Sequence, residues 1–169
     1  MTFPALPATV EAALAARGYA AATPVQAEVL RPDAAGRDLV VSAQTGSGKT
    51  VAFGLAMVPE VLGPDGRIGF VEAPRALVVT PTRELALQVS RELEWLYGQT
   101  GARVATCVGG MNPSAERKML GSGPAIVVGT PGRLRDHFER GALDLSALAV
   151  AVLDEADEML DMGFREDLE

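Results

Sequence analysis

Ala43-Gln44-Thr45-Gly46-Ser47-Gly48-Lys49-Thr50 follows the apolar run Leu39-Val40-Val41 and precedes Val51-Ala52-Phe53-Gly54-Leu55. Strand, glycine-rich turn and helix in that order make a cradle for polyphosphate. The glycines let Thr45, Gly46, Ser47 and Gly48 wrap closely, so that successive N–H groups point into the loop. The helix start adds partial positive charge behind them. Lys49 can reach the β- and γ-phosphates, and the Thr50 hydroxyl can ligate Mg²⁺. The usual pattern opens on Gly; Ala43 holds that position here, a known variant of the loop.

A second group of reactive side chains closes the apolar run Leu148 to Leu153. Asp154 stands at the strand end from which a carboxylate ligates the Mg²⁺ of a phosphate loop, directly or through water. Glu155 beside it can orient or deprotonate a water attacking a γ-phosphate. Two acids at a strand end can also simply cap a helix; the phosphate loop in the same chain favours chemistry. Asp157 suits pairing with a nearby base or a cap better than touching metal.

Three further loops suit a phosphodiester backbone. Arg83 and Arg133 each lie at a helix start, beside Thr82 and Thr130, and Gly109-Gly110 permits close backbone approach. Helix N-termini, hydroxyls and guanidinium groups together bind phosphate. Each loop alone is better read as ordinary capping, since Thr-Pro is a common helix start. The same holds for Thr23-Pro24-Val25-Gln26, whose local pattern is a capping box.

These groups need elements to hold them. Helix is expected over 7–17 and 24–31, strand over 39–43, and helix from the phosphate loop to about Leu62. Residues 63–74, with Gly63-Pro64-Asp65-Gly66, form a loop. The β-branched run 75–80 is a buried strand. A helix follows, started by Thr80 or Pro81, with Leu85, Val89, Leu93 and Leu96 as its apolar stripe. Strands are expected over 103–108, 125–128 and 148–153, and helices over 113–120, 132–140 and beyond Asp157. Alternating strands and helices with continuous apolar strands predict an α/β fold: a parallel sheet with helices on both faces. Ligands of such sheets bind at the strands' carboxyl ends. Residues 43–50, 81–86, 109–110, 130–133 and 154–157 should therefore share one rim.

Bulk properties bound the alternatives. A chain of 169 residues with 48% apolar content is one domain's worth and excludes disorder. No apolar stretch approaches the ~20 residues of a membrane span, and Met1-Thr2-Phe3-Pro4 lacks signal-peptide order. A cytoplasmic setting with no membrane partner follows as the expectation. Cys107 is the one cysteine, so no disulfide partner exists within the chain; it reads as a buried structural thiol. His137 is also single, which argues against a His-based metal site or triad. The net charge of −7 is concentrated at one end: eight of the 22 acids and one of the 15 bases lie in 154–169, leaving fourteen of each elsewhere. A neutral body leaves room for a local basic face.

Taken in order, Ala43–Thr50, Pro81–Ala86, Gly109-Gly110, Thr130–Arg133 and Asp154-Glu155-Ala156-Asp157 resemble the motifs of the DEAD-box RNA helicases, and residues 18–26 resemble that family's adenine-recognising glutamine motif. The resemblance runs from Phe3 to Glu169. It implies the family's N-terminal, P-loop RecA-like domain over 1–169, with ATP and Mg²⁺ as cofactors and RNA as partner. By the same resemblance Thr23 and Gln26 recognise adenine and Tyr19 packs on the base. Lys49, Thr50, Asp154 and Glu155 keep the roles derived above. Pro81, Thr82, Arg83, Gly110, Thr130, Gly132 and Arg133 line the RNA path, through contacts that are sequence-independent. The family unwinds short duplexes locally, using ATP binding, with hydrolysis releasing the product. Its Ser-Ala-Thr triplet and its second RecA-like domain, which carries an arginine finger, have no counterpart in the 169 residues. The chain is therefore expected to be incomplete at its C-terminus and nearly inactive alone. Its alternative role is nucleotide-dependent RNA binding without catalysis. Ala22 stands where the family usually has proline.

Overall fold

The computed structural model describes residues 6–17, 49–63, 66–109 and 112–154. Within these the chain runs α1 (Ala8–Ala16), α2 (Lys49–Ala56), α3 (Val58–Val61), β1 (Ala76–Val79), α4 (Arg83–Leu96), β2 (Val104–Cys107), α5 (Pro113–Leu120), β3 (Ile126–Gly129), α6 (Pro131–Glu139) and β4 (Val150–Leu153). The expected helix 24–31, strand 39–43 and final helix lie outside the described residues.

All four strands are parallel, in the order β2-β3-β1-β4. The register is even across the sheet: Val79 pairs with Gly129 and with Leu153, and Cys107 also pairs with Gly129. Equal register ends the four strands on one line, which is what aligns the loops that follow them.

Burial alternates from face to face along the central strands, as the strand period of two requires. Ala76, Val78, Ile126 and Val128 face a core built with Val10 and Leu14 of α1, Val51, Phe53 and Leu55 of α2, and Ala86, Val89, Leu93 and Leu96 of α4. Val79 and Val127 face the other way, into a core with Ala105, Cys107, Leu120 of α5 and Leu134 of α6. Helices therefore cover both faces, as the continuous apolar strands predicted. The stripe of α4 behaves as its spacing says: Val89, Leu93 and Leu96 are buried. Each buried leucine contributes about 1.5–3 kcal/mol.

Two local expectations are corrected. The helix after the phosphate loop does not run unbroken to Leu62; it is interrupted at Met57 between α2 and α3. Pro59 is the cause, because it has no N–H to continue the ladder and sits in the first turn of α3. The second concerns the start of α4. The cap is Thr82, not Thr80 or Pro81, and its hydroxyl accepts from the Leu85 N–H at 3.2 Å.

Candidate functional site

The rim at the strands' carboxyl ends is held by backbone hydrogen bonds that step across the sheet. Thr130 N–H donates to Cys107 O at 3.1 Å, Thr80 N–H to Gly129 O at 3.0 Å, and Asp154 N–H to Val79 O at 2.8 Å. The loops thus follow one another in a fixed order: Val108-Gly109, Thr130–Arg133, Thr80–Arg83, Asp154. Three segments expected to meet a phosphodiester backbone are neighbours, and Asp154 closes the row.

Asp154 is buried, with 6% of its surface exposed. Thr50 is half-buried in the first turn of α2, which begins at Lys49. Pro81 is buried, Thr82 is half-buried, and Arg83 is exposed as the first residue of α4. Thr130 caps α6 by position but makes no side-chain cap bond; Pro131 follows at the helix start, where its missing N–H costs nothing. Thr82 therefore spends its hydroxyl on its own helix, whereas Thr130 does not. Tyr19, Thr23, Gln26, Thr45, Gly46, Ser47, Gly48, Gly110, Glu155 and Asp157 lie outside the described residues.

The glycines of the rim divide into two kinds. A Cβ on Gly129 would stand 2.4 Å from Cys107 O and 2.8 Å from Leu134 side-chain atoms, so the fold itself requires glycine there. Among the described residues a Cβ on Gly109 or Gly132 would meet nothing within 4 Å, and both residues are exposed. Neither has the positive φ that favours glycine. Packing among the described residues makes no demand for glycine at 109 or 132.

Behind the rim lies a buried polar cluster that sequence reading missed. Glu116 of α5 is fully buried. Its Oε2 accepts from the Val108 N–H at 2.8 Å, and its Oε1 accepts from Arg133 Nη1 at 3.2 Å and His137 Nε2 at 2.9 Å. His137, single in sequence, is thus half of a buried pair. Among the described residues its Nδ1 has no hydrogen-bond partner. The one available signal was Glu116 itself, a charged residue sharing a helical face with Leu120 four positions on.

Cys107, Glu116 and His137 bring ligand-type atoms within 4.8 Å of one another. The donors already present oppose a cation there. The carboxylate is engaged by three N–H groups, and the Arg133 guanidinium adds positive charge. Burial first, then the Glu116 carboxylate, push the Cys107 thiol up to about 12 against the opposing pull of Arg133, so the thiol stays protonated at neutral pH. Cys107 is the inert structural thiol that its apolar run suggested.

The family model for the DEAD/DEAH box helicases matches residues 23–169. The chain belongs to this family. It is 48% identical over 165 residues to the ATP-dependent RNA helicase DeaD of Klebsiella pneumoniae, covering 97% of this chain and 25% of that protein. It is 45% identical over 152 residues to the ATP-dependent RNA helicase CshA of Listeria monocytogenes, covering 90% and 28%. The fold is similar to the crystal structure of a DEAD box protein from Methanococcus jannaschii, with TM-score 0.84, 37% identity and coverage of 98% of this chain and 44% of that one. A hypothetical ATP-dependent RNA helicase from Sulfolobus tokodaii gives TM-score 0.84 at 34% identity, with coverage of 96% and 45%. The chain spans about a quarter of the length of the curated relatives it matches. The helicase family and the RecA-like parallel sheet expected from the motif order are both borne out.

Proposed function

We propose that this chain is the ATP-binding, RNA-engaging N-terminal domain of a DEAD-box RNA helicase, whose full-length form unwinds short RNA duplexes locally. The observation that carries this reading is the shared rim. Residues of the phosphodiester-binding segments stand side by side, with Asp154 at the end of the same row. In this reading Thr45, Gly46, Ser47, Gly48 and Lys49 hold the triphosphate, and Tyr19, Thr23 and Gln26 select adenine. Thr50 and Asp154 hold Mg²⁺; a hydroxyl and a carboxylate are the hard oxygen donors this ion takes. The ion supplies charge neutralisation at the β- and γ-phosphates. Glu155 orients the attacking water.

Pro81, Thr82, Arg83, Gly110, Thr130, Gly132 and Arg133 follow the RNA backbone. Exposed Arg83 and the open approach at Gly132 support that assignment. Binding through phosphates and sugars is sequence-independent and salt-sensitive. Hydrolysis by the isolated chain is expected to be very slow. The arginine finger that stabilises transferring phosphoryl charge belongs, in this family, to a second RecA-like domain, the partner this domain would close upon. A cytoplasmic setting is part of the same proposal. Among the described residues no helix is long and apolar enough to cross a membrane.

RNA-stimulated ATP hydrolysis by a full-length protein carrying this domain tests the reading, with Glu155→Gln alongside. RNA should raise the rate and the substitution should abolish it. Hydrolysis indifferent to RNA, or surviving in Glu155→Gln, would overturn the assignment. Gln26→Ala should weaken ATP binding and leave inorganic triphosphate binding unchanged; equal loss for both would reduce Gln26 to a capping residue.

A further inference from the structure

We infer that Glu116 is a positioning residue of the RNA surface, one that holds Arg133 and the turn at Gly109 in a single fixed arrangement. The inference rests on the RNA reading of the rim given above. A fully buried carboxylate is costly unless its oxygens are satisfied. Here they are satisfied by three donors from two separate segments. Oε2 takes the backbone N–H of Val108, the residue that follows β2 and leads into Gly109. Oε1 takes Arg133 in the first turn of α6 and His137 one turn later. Arg133 and His137 are four residues apart and share a helical face, so one oxygen engages both.

The contact with His137, whose side chain is fully buried, stays inside the core. The other two contacts reach the rim. The Arg133 side chain is 16% exposed, and the carboxylate engages it through one nitrogen. A guanidinium has five N–H donors in a planar fork, so most of them remain for a phosphate while one nitrogen is tied to the carboxylate. Gly109, next to the anchored Val108 N–H, is exposed, and among the described residues nothing lies within 4 Å of where its Cβ would stand. Glu116 thereby links one phosphate-binding side chain to one close-approach backbone turn. Two contacts set at a fixed separation before the ligand arrives cost less ordering on binding.

Affinity for a fluorescent oligouridylate, measured beside affinity for a fluorescent ATP analogue and thermal unfolding, tests this. Glu116→Met keeps side-chain length, removes the acceptors, and should weaken RNA binding about tenfold with ATP affinity unchanged. Glu116→Gln retains one acceptor oxygen and should lose only about threefold. Each substitution should weaken RNA binding less in an Arg133→Ala background than in the unsubstituted chain, because only the turn at Gly109 is then left for Glu116 to hold. Wild-type RNA affinity in folded Glu116→Met, or losses that simply add to that of Arg133→Ala, would overturn the inference. If the methionine variant does not fold, the glutamine cycle decides: wild-type affinity in Glu116→Gln overturns it. Failure of the RNA reading looks different: Arg133→Ala would then bind RNA as the unsubstituted chain does, or the unsubstituted chain would bind none.

Discussion

The Tyr97 hydroxyl donates to the carbonyl of Gly54, joining the end of α4 to the middle of the helix that carries Thr50. Tyr97 is fully buried, and a Cβ on Gly54 would stand 2.8 Å from Leu96 Cδ2 and 3.0 Å from Leu93 Cδ2. The helix behind the phosphate loop and the helix that starts at Arg83 are thus packed at glycine distance. Gly54→Val should destabilise the chain by about 1–3 kcal/mol, through overpacking against two leucines that have little room to turn. Tyr97→Phe should cost about 1 kcal/mol, the net worth of one buried hydrogen bond. Urea unfolding of the two variants checks both, and a neutral Gly54→Val would mean the helices can separate freely.

The two kinds of rim glycine give opposite expectations. Gly129→Ala should destabilise by about 3 kcal/mol or more, because the new methyl meets the Cys107 carbonyl, backbone that the sheet register holds in place. Gly132→Ala should leave stability unchanged or raise it by about 0.5–1 kcal/mol, as alanine favours a helix over glycine. It should nevertheless weaken RNA binding, since the methyl occupies the surface a phosphodiester would approach. Calorimetry and RNA anisotropy on the same pair separate these effects. Full RNA affinity in Gly132→Ala would remove the close-approach argument.

Thr82 and Thr130 head equivalent helices and should respond differently. Thr82→Ala loses the hydroxyl that accepts from Leu85 N–H and should cost about 1 kcal/mol of stability. Thr130 makes no such bond, so Thr130→Ala should cost less in stability for a comparable loss of RNA affinity. Equal destabilisation by the two substitutions would contradict the difference in capping.

Alkaline pH should expose the buried acids of the core. The Cys107 thiol ionises near 9.0 when unconstrained and is pushed up to about 12 in the fold, first by burial and then by Glu116. Burial also raises the Tyr97 hydroxyl. Between the two cysteine values the folded state holds a proton that the unfolded state has lost. Stability should therefore be intact below about pH 9 and fall as pH rises through that window. Cys107→Ala should flatten the first part of the fall and leave the later part, where Tyr97 contributes. Urea midpoints from about pH 8 to about pH 11 check the sign.

Among the described residues, the sequence by itself determined the strands and the end of the sheet where their loops meet. Apolar runs such as Ala76–Val79 and Ile126–Gly129, each followed by a turn and a helix start, are local signals. A parallel sheet must then present every strand end on one side. The Thr130-Pro131 helix start and Asp154 after β4 were legible for the same reason: each is marked by adjacent residues. Tertiary structure alone decided which loops are neighbours, because the order β2-β3-β1-β4 is set by packing between segments far apart in the chain. It alone paired Glu116 with His137 across 21 positions, and it alone told Gly129 from Gly132. Spacing reports which face of an element a side chain lies on. Contact between elements depends on how the two cores close over the sheet, and no local pattern carries that information.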